Sequence, residues 1–510
     1  MKIAMLSWES MHSIAVGGIA PHVTELSTAL HSRGHDVHIF TRRGAGQNRY
    51  ERINGVHFHR CPYASHEEFT EDMARMADSF AWHVGEVEFG YGEPFDIIHG
   101  HDWMTTRALV RLKNERRRVV VMTIHSTEYG RCGNELFWHG QSKRIRDLEW
   151  EGTYVADRVI CVSESLRKEV HWLYSLPADK TLSVYNGVDA SRFDAHVDVA
   201  KVRHSCAVEA DEPCVLFAGR LAWQKGPDML LEAVPGVLEK HPDVKFVFAG
   251  DGEMRPQLEA QAAAAGVVPS VRFVGYRKGH DLIGLFKSAD LVCVPSRNEP
   301  FGIVILEAWS ASKPVIATRT GGPAEFVRHQ DTGWTVSGDV ESIGEGLRAV
   351  LSDDGHARRM GVNGRREAET RFSWNTIATQ TENVYLAILG REATTSMEPV
   401  ATIEVESTMA RPRSSKEKQG NGAAAKKTSK PRSTSTATAT RNETNRTIRP
   451  SENAASAAMS IPLSEPTTEQ IRRRAYEVYL SRNGSPGDPA ADWLLAERAL
   501  REELCQGKAQ

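Results

Sequence analysis

The chain has 510 residues, 40% hydrophobic and 25% charged, with a formal net charge of −3, and so exceeds what one hydrophobic core supports and calls for at least two domains. No run of about eighteen apolar residues occurs and Glu9 interrupts the opening MKIAMLSWES, so neither a membrane span nor a signal peptide is expected; the chain reads as cytoplasmic, with peripheral membrane contact left open. Its seven cysteines are scattered and never spaced as Cys-x-x-Cys, so they suggest neither a disulfide framework nor a zinc site.

In chain order, KIAMLS, DVHIFT, DIIHGH, VVVMTI and RVICVS alternate with helical patterns through the first half, followed by CVLFAG, KFVFAG, VRFVG, DLVCVP and KPVIAT. Continuous apolar strands separated by amphipathic helices indicate parallel sheets covered on both faces. Two such sets predict an α/β protein of two doubly wound, Rossmann-like domains: 1–190, ending at VYNGVD, and 191–374, with 375–390 returning to the first. Ligands of such sheets bind beyond the carboxyl ends of the strands, so the two face a shared cleft. Residues 391–465 are rich in Ser, Thr, Ala, Lys and Arg, with eleven Lys or Arg against Glu417 and Glu443 in 411–450; this is expected to be a disordered basic linker. Residues 466–510 regain helical periodicity and predict a small helical module.

The first strand runs into AVGGIAPHVTELSTAL, where Gly17 and Gly18 precede a helix. Paired glycines let backbone N–H groups approach a phosphate at a helix N-terminus, or simply make a tight turn. The pattern is not the G-x-G-x-x-G fingerprint, which argues against a dehydrogenase. HGHDW places His101 and Asp102 at the carboxyl end of a strand; a metal reading of the His-x-His pair lacks an evident third ligand, and Asp102 suits either a helix cap or bonds to substrate hydroxyls. TIHSTEYGR puts His125 after the next strand.

In the second half, Arg220 follows strand CVLFAG and Lys225-Gly226 begins a helix, two cations on one loop that suit a diphosphate or are solvated surface charges. In PSRNEPFGIVILEAWS, Glu299 lies in a loop and Glu307 inside the following, largely apolar helix, where carboxylates are costly without partners. The N-terminus of that helix, around Phe301 and Gly302, offers N–H groups to phosphate oxygens, and Glu307 lies two turns on, placed for ribose hydroxyls.

The segments GGIA, HGHDW, TIHSTEYGR, VYNGVD, FAGRLAWQKGPDMLLEA, AGDGE and the Glu299/Glu307 pair resemble, in order and spacing, the GT-B retaining glycosyltransferases of the family 4-like group that includes the smaller bacterial and archaeal glycogen synthases. The resemblance covers about 1–390. After SWE, Ser10, Met11 and His12 stand where the family has Tyr-Pro-Pro, so its acceptor contacts are not carried over for this loop. The last forty residues resemble a small bacterial helical domain of unknown function.

The resemblance implies roles. Arg220 and Lys225, with backbone at Gly17, Gly18, Phe301 and Gly302, neutralise the leaving nucleotide diphosphate. No metal or other cofactor is expected, and no Asp-x-Asp motif occurs. Glu307 holds the ribose, Glu299 contacts the donor sugar near its reacting carbon, His125 and Asp102 line the sugar pocket, and Gly275 and Tyr276 border the nucleobase. The acceptor attacks on the face the diphosphate leaves, and the anomeric configuration is retained. The expected partners are a nucleotide-sugar donor, ADP-glucose or UDP-glucose first and GDP-mannose second, and a glycan acceptor. A nucleotide-sugar 2-epimerase and a non-catalytic nucleotide-sugar-binding regulator are the other readings. The basic linker lacks interleaved aromatics and reads as a solvated tether, with no specific nucleic-acid partner.

Overall fold

The computed structural model describes residues 1–391, together with Arg474, Leu495, Ala496 and 498–500, which are helical. The expected linker and nearly all of the expected C-terminal module lie outside the described residues.

The first sheet contains β1 (Lys2–Leu6), β2 (Asp36–Arg42), β3 (Tyr50–Ile53), β4 (Val56–Cys61), β5 (Ile97–His101), β6 (Val120–Ile124), β7 (Arg158–Cys161) and β8 (Thr181–Ser183), in the order β3-β4-β2-β1-β5-β6-β7-β8. All neighbours are parallel except the β3/β4 hairpin. That hairpin is absent from the sequence expectation because β3 is largely exposed and carries no apolar run. Its signal is the turn Asn54-Gly55, where both residues have positive φ, 48° and 82°, as a two-residue primed turn requires.

The second sheet, of β9 (Cys214–Ala218), β10 (Lys245–Ala249), β11 (Val271–Gly275), β12 (Leu291–Val294), β13 (Val315–Thr318) and β14 (Trp334–Val336), has the order β11-β10-β9-β12-β13-β14 and is parallel throughout. Every residue of β5, β6, β12 and β13 is buried, which is why these strands read as unbroken apolar runs rather than alternating ones.

The last long helix, Trp374–Ile388, packs on the first domain: Ile377, Ala378 and Tyr385 share a core with Ile3, Val23 and Leu26. The Tyr385 hydroxyl pairs with His99 Nδ1 at 2.6 Å, and Glu382 accepts from Arg33 Nε at 2.8 Å and pairs with His35 Nε2 at 2.9 Å. The chain therefore crosses between the two sheets twice, and loops that follow the carboxyl ends of both sheets touch, Asn298 with Asn134 and Ile303 with Gly18.

Candidate active site

On the first-domain side, the loop after β1 is organised by Glu9. This carboxylate, 1% exposed, accepts from the N–H groups of Val16 (2.5 Å), Gly17 (2.7 Å) and Ala20 (3.2 Å). Burial pushes its pKa up against the pull of those bonds. Gly17 thus spends its N–H on Glu9. Pro21 has none to offer, while the N–H groups of Gly18 and Ile19 at the start of helix Ile19–Ser32 have no protein partner among the described residues.

The ends of β5 and β6 are tied by Asp102, whose φ of 55° turns its carboxylate back onto the sheet. It does not cap the following turn; Oδ1 accepts the His125 backbone N–H at 2.7 Å. Desolvation raises its pKa to about 6, so Asp102 braces the His125 loop rather than presenting a free charge.

His101 Nδ1 and His125 Nε2 are 3.1 Å apart, and the His22 ring stands edge-on to His125 at 4.5 Å. His22 Nδ1 pairs with Asn186 Oδ1 at 2.7 Å, which is what the VYNGVD turn contributes. Sequence reasoning saw no third ligand beside His101; helix Ile19–Ser32 supplies His22 to the group, and the three rings could in principle share an ion. Burial keeps all three neutral, His125 down to about 3. One nitrogen of each ring is already engaged within the group or by Asn186, and the remaining Nε2 atoms of His22 and His101 are buried, which leaves the half-buried, neutral His125 as the imidazole suited to a sugar hydroxyl.

The second-domain side is charged. Lys225 Nζ lies 3.0 and 2.8 Å from the two oxygens of Glu299, which also accepts from Ser296 Oγ at 3.0 Å. Arg220 is exposed, with Nη2 donating to Gln224 Oε1 at 3.3 Å. Helix Ile303–Ser310 starts from Gly302, φ 101°, and the N–H groups of Ile303 and Val304 have no protein partner among the described residues. Phe301 is 2% exposed and its ring lies 5.2 Å from that of Phe326 in a tilted pair, so its side chain is core. Glu307, half-buried, has no hydrogen-bond partner among the described residues; burial raises its pKa to about 7, and the Arg192 guanidinium opposes the rise.

Close backbone approach shapes this half of the site. A Cβ at Gly250 would lie 1.8 Å from the Gly219 carbonyl oxygen, because Gly250 N–H also reaches Gly275 O at 3.0 Å. Gly275 and the exposed Tyr276 close that rim. A Cβ at Gly321, φ 64°, would lie 2.0 Å from the Glu299 carbonyl oxygen, and Gly322 N–H donates to that oxygen at 2.9 Å. The Gly321-Gly322 pair, which sequence reasoning passed over, sets the Glu299 loop.

The two halves meet. A Cβ at Gly18 would lie 3.0 Å from Ile303 Cδ1, so the side chain of the first residue of helix Ile303–Ser310 packs at the N-terminus of helix Ile19–Ser32. Asn298 Nδ2 donates to Asn134 Oδ1 at 2.6 Å, and Glu325 accepts from the Glu164 and Ser165 N–H groups at 3.0 and 2.5 Å and from the Tyr185 hydroxyl at 3.1 Å. Such a site can hold an anion between the two domains and hydroxyls along one of them.

Among the described residues no helix is long and apolar enough to cross a membrane. Residues 16–192 match Glycosyltransferase Family 4 and residues 199–367 match Glycosyl transferases group 1; residues 466–502 match a protein family of unknown function, DUF2934. An uncharacterised glycosyltransferase of Methanocaldococcus jannaschii is 39% identical over 398 residues, 77% of this chain and 100% of that protein. A glycogen synthase of Mycobacterium tuberculosis is 31% identical, over 76% of this chain and 95% of that one. The catalytic domain of starch synthase IV from Arabidopsis thaliana, bound to ADP and acarbose, has a TM-score of 0.62 at 18% identity and covers 76% of this chain and 99% of its own. With two parallel sheets facing one cleft and relatives matched along their whole length, this chain belongs to the GT-B glycosyltransferases of group 1 and Family 4.

Proposed function

We propose that the protein transfers glucose, with retention of configuration and without a metal ion, from a nucleotide-diphosphate sugar to a glycan acceptor, as an α-1,4-glucan synthase does. The observation that carries this reading is the Lys225–Glu299 pair at the start of helix Ile303–Ser310, whose Ile303 side chain packs at Gly18 of the first domain; Arg220 lies on the same loop as Lys225. Charge builds on the diphosphate as the glycosidic bond breaks, and preorganised cations and N–H groups stabilise it more in the transition state than in the ground state. Lys225, held by Glu299 in the free protein, shares its ammonium with the incoming phosphate. The Glu299 carboxylate then lies beside the reacting carbon, and Glu307 accepts from the ribose hydroxyls.

The neutral imidazole wall of His125, with His101 and His22 behind it, binds the sugar. Asp102 acts through His125 as a positioning residue. Gly275 and Tyr276 border the base. The departing phosphate oxygen takes the acceptor proton, so no protein nucleophile is needed. The glycogen synthase relative and the neighbour holding ADP and acarbose support an adenine nucleotide and a glucan; UDP-glucose is the alternative glucosyl donor and GDP-mannose the competing one.

Nucleotide release measured across ADP-, UDP- and GDP-sugars, with and without glycogen, tests this. Glycogen-dependent release from ADP-glucose or UDP-glucose is expected. Epimerised sugar from donor alone would establish an epimerase, and binding without release from any donor a regulator.

A further inference from the structure

At the amino ends of β2 and β4, on the far side of the sheet from the cleft, lies a second polar cluster. Asp36 and His38 are two apart on β2 and so share a face; His57 stands opposite His38 on β4. His38 Nε2 and His57 Nε2 lie 3.3 and 3.4 Å from the same oxygen, Asp36 Oδ1. A tetrahedral ion with bonds of about 2.0–2.1 Å sets its ligand atoms about 3.3–3.4 Å apart, so two edges of such a site already have their length. The third edge, between the two Nε2 atoms of the stacked rings, 4.3 Å between centroids, is no longer than 4.8 Å, and a bound ion would require the rings to tilt toward each other at that edge.

The outer groups point the same way. His38 Nδ1 pairs with His59 Nε2 at 3.0 Å and His57 Nδ1 with the Tyr50 hydroxyl at 2.8 Å. When each Nδ1 is the donor, each Nε2 keeps its lone pair available, the arrangement that outer-shell partners give to metal-ligating histidines. His38 is fully buried, and its Nε2 makes no hydrogen bond among the described residues: it is near Asp36 but aimed off it. The Asp36 side chain is 41% exposed, which provides a way in and room for a water ligand. Lys2, the cation facing this cluster from β1, is drawn off by Glu93 at 2.6 Å.

We propose that Asp36, His38 and His57 form a site for a divalent transition ion of the zinc class, completed by water, which fastens the edge hairpin β3/β4 to β2. Its place at the opposite end of the sheet makes it independent of sugar transfer.

The test uses the full chain, stripped with EDTA and dialysed, and titrated with Co²⁺ followed by visible absorption and with Zn²⁺ followed by calorimetry and Tm. The expected result is a Co²⁺ complex with the intense d–d bands of low coordination number and a Tm that rises with Zn²⁺. Asp36→Asn, at a half-exposed position, should weaken Zn²⁺ binding at least tenfold while folding and turning over normally, and His57→Gln should remove the bands. His125→Gln should leave both signals unchanged, since the cleft imidazoles are not the ligands. Absence of any Tm change at about a hundredfold excess of Zn²⁺, or binding that survives Asp36→Asn and is lost in His125→Gln, overturns the proposal.

Discussion

The two walls of the cleft are built from opposite chemistry. The first domain presents buried imidazoles held neutral by desolvation, His22, His101 and His125, fixed by hydrogen bonds to Asn186 and to the backbone brace of Asp102. The second domain presents an ion pair, Lys225 with Glu299, an exposed Arg220 and the unpaired Glu307. Neutral donors and acceptors discriminate hydroxyls, whereas fixed charge answers to a leaving group whose charge grows during reaction. On the proposed reading, the fold divides sugar reading from leaving-group stabilisation between two sheets.

The largest expected effect tests the charged wall. Lys225→Ala and Arg220→Ala should each lower turnover by about 10²-fold or more, and the double variant should fall short of their product because both act on one leaving group. They differ in stability. Lys225→Ala leaves the Glu299 carboxylate, 6% exposed, without its cation, at a cost of about 1–3 kcal/mol in denaturant unfolding. Arg220→Ala, at an exposed position, should unfold as the parent does. Normal turnover in both single variants would remove leaving-group stabilisation from these residues.

This asymmetry also marks what was legible in the sequence. Apolar strand runs and the loops that carry charge could be read, because burial on both faces and a Lys or Glu in an apolar context leave local signatures. Glu9 could not be assigned, because its partners are backbone N–H groups seven to eleven residues on, which no spacing rule names. His22 lay inside the quoted helix, but its joining His101 depends on how the Ile19–Ser32 helix crosses the sheet. Gly321-Gly322 and Glu325 were missed for the same reason: their contacts, to Glu299 and to the first domain's helix Glu164–Tyr174, are tertiary. The β3/β4 hairpin left a readable Asn-Gly turn signal.

Glu307 gives the next largest effect and a pH dependence. With its pKa raised to about 7 in the free protein, it is increasingly protonated as pH falls below that value, and ribose hydroxyls need the ionised form as acceptor. Donor affinity should therefore rise with pH through about 7 and level off above it. Glu307→Gln should raise donor KM about tenfold and flatten this profile; a retained profile would assign the titration to another group.

On the neutral wall, His125→Ala should cost about tenfold in kcat/KM, the worth of one hydrogen bond to an uncharged group, and should alter the preference between sugars more than that between nucleotides. A loss as large as that of Lys225→Ala would show that the first domain also stabilises the leaving group. The smallest effect is expected from ending the chain at residue 391: every residue placed in the cleft precedes it, so transfer by the purified, folded fragment should match the full chain. A folded fragment without activity would bring the C-terminal segment into the site.

The central claim, that protein cations rather than an ion carry the diphosphate, is tested most directly by the initial rate of sugar transfer after exhaustive chelation, with the product's anomeric configuration read by NMR. The account predicts an unchanged rate in EDTA and an α-linked product from an α-linked donor. Activity lost in EDTA and restored by Mg²⁺ or Mn²⁺, or an inverted product, would contradict it.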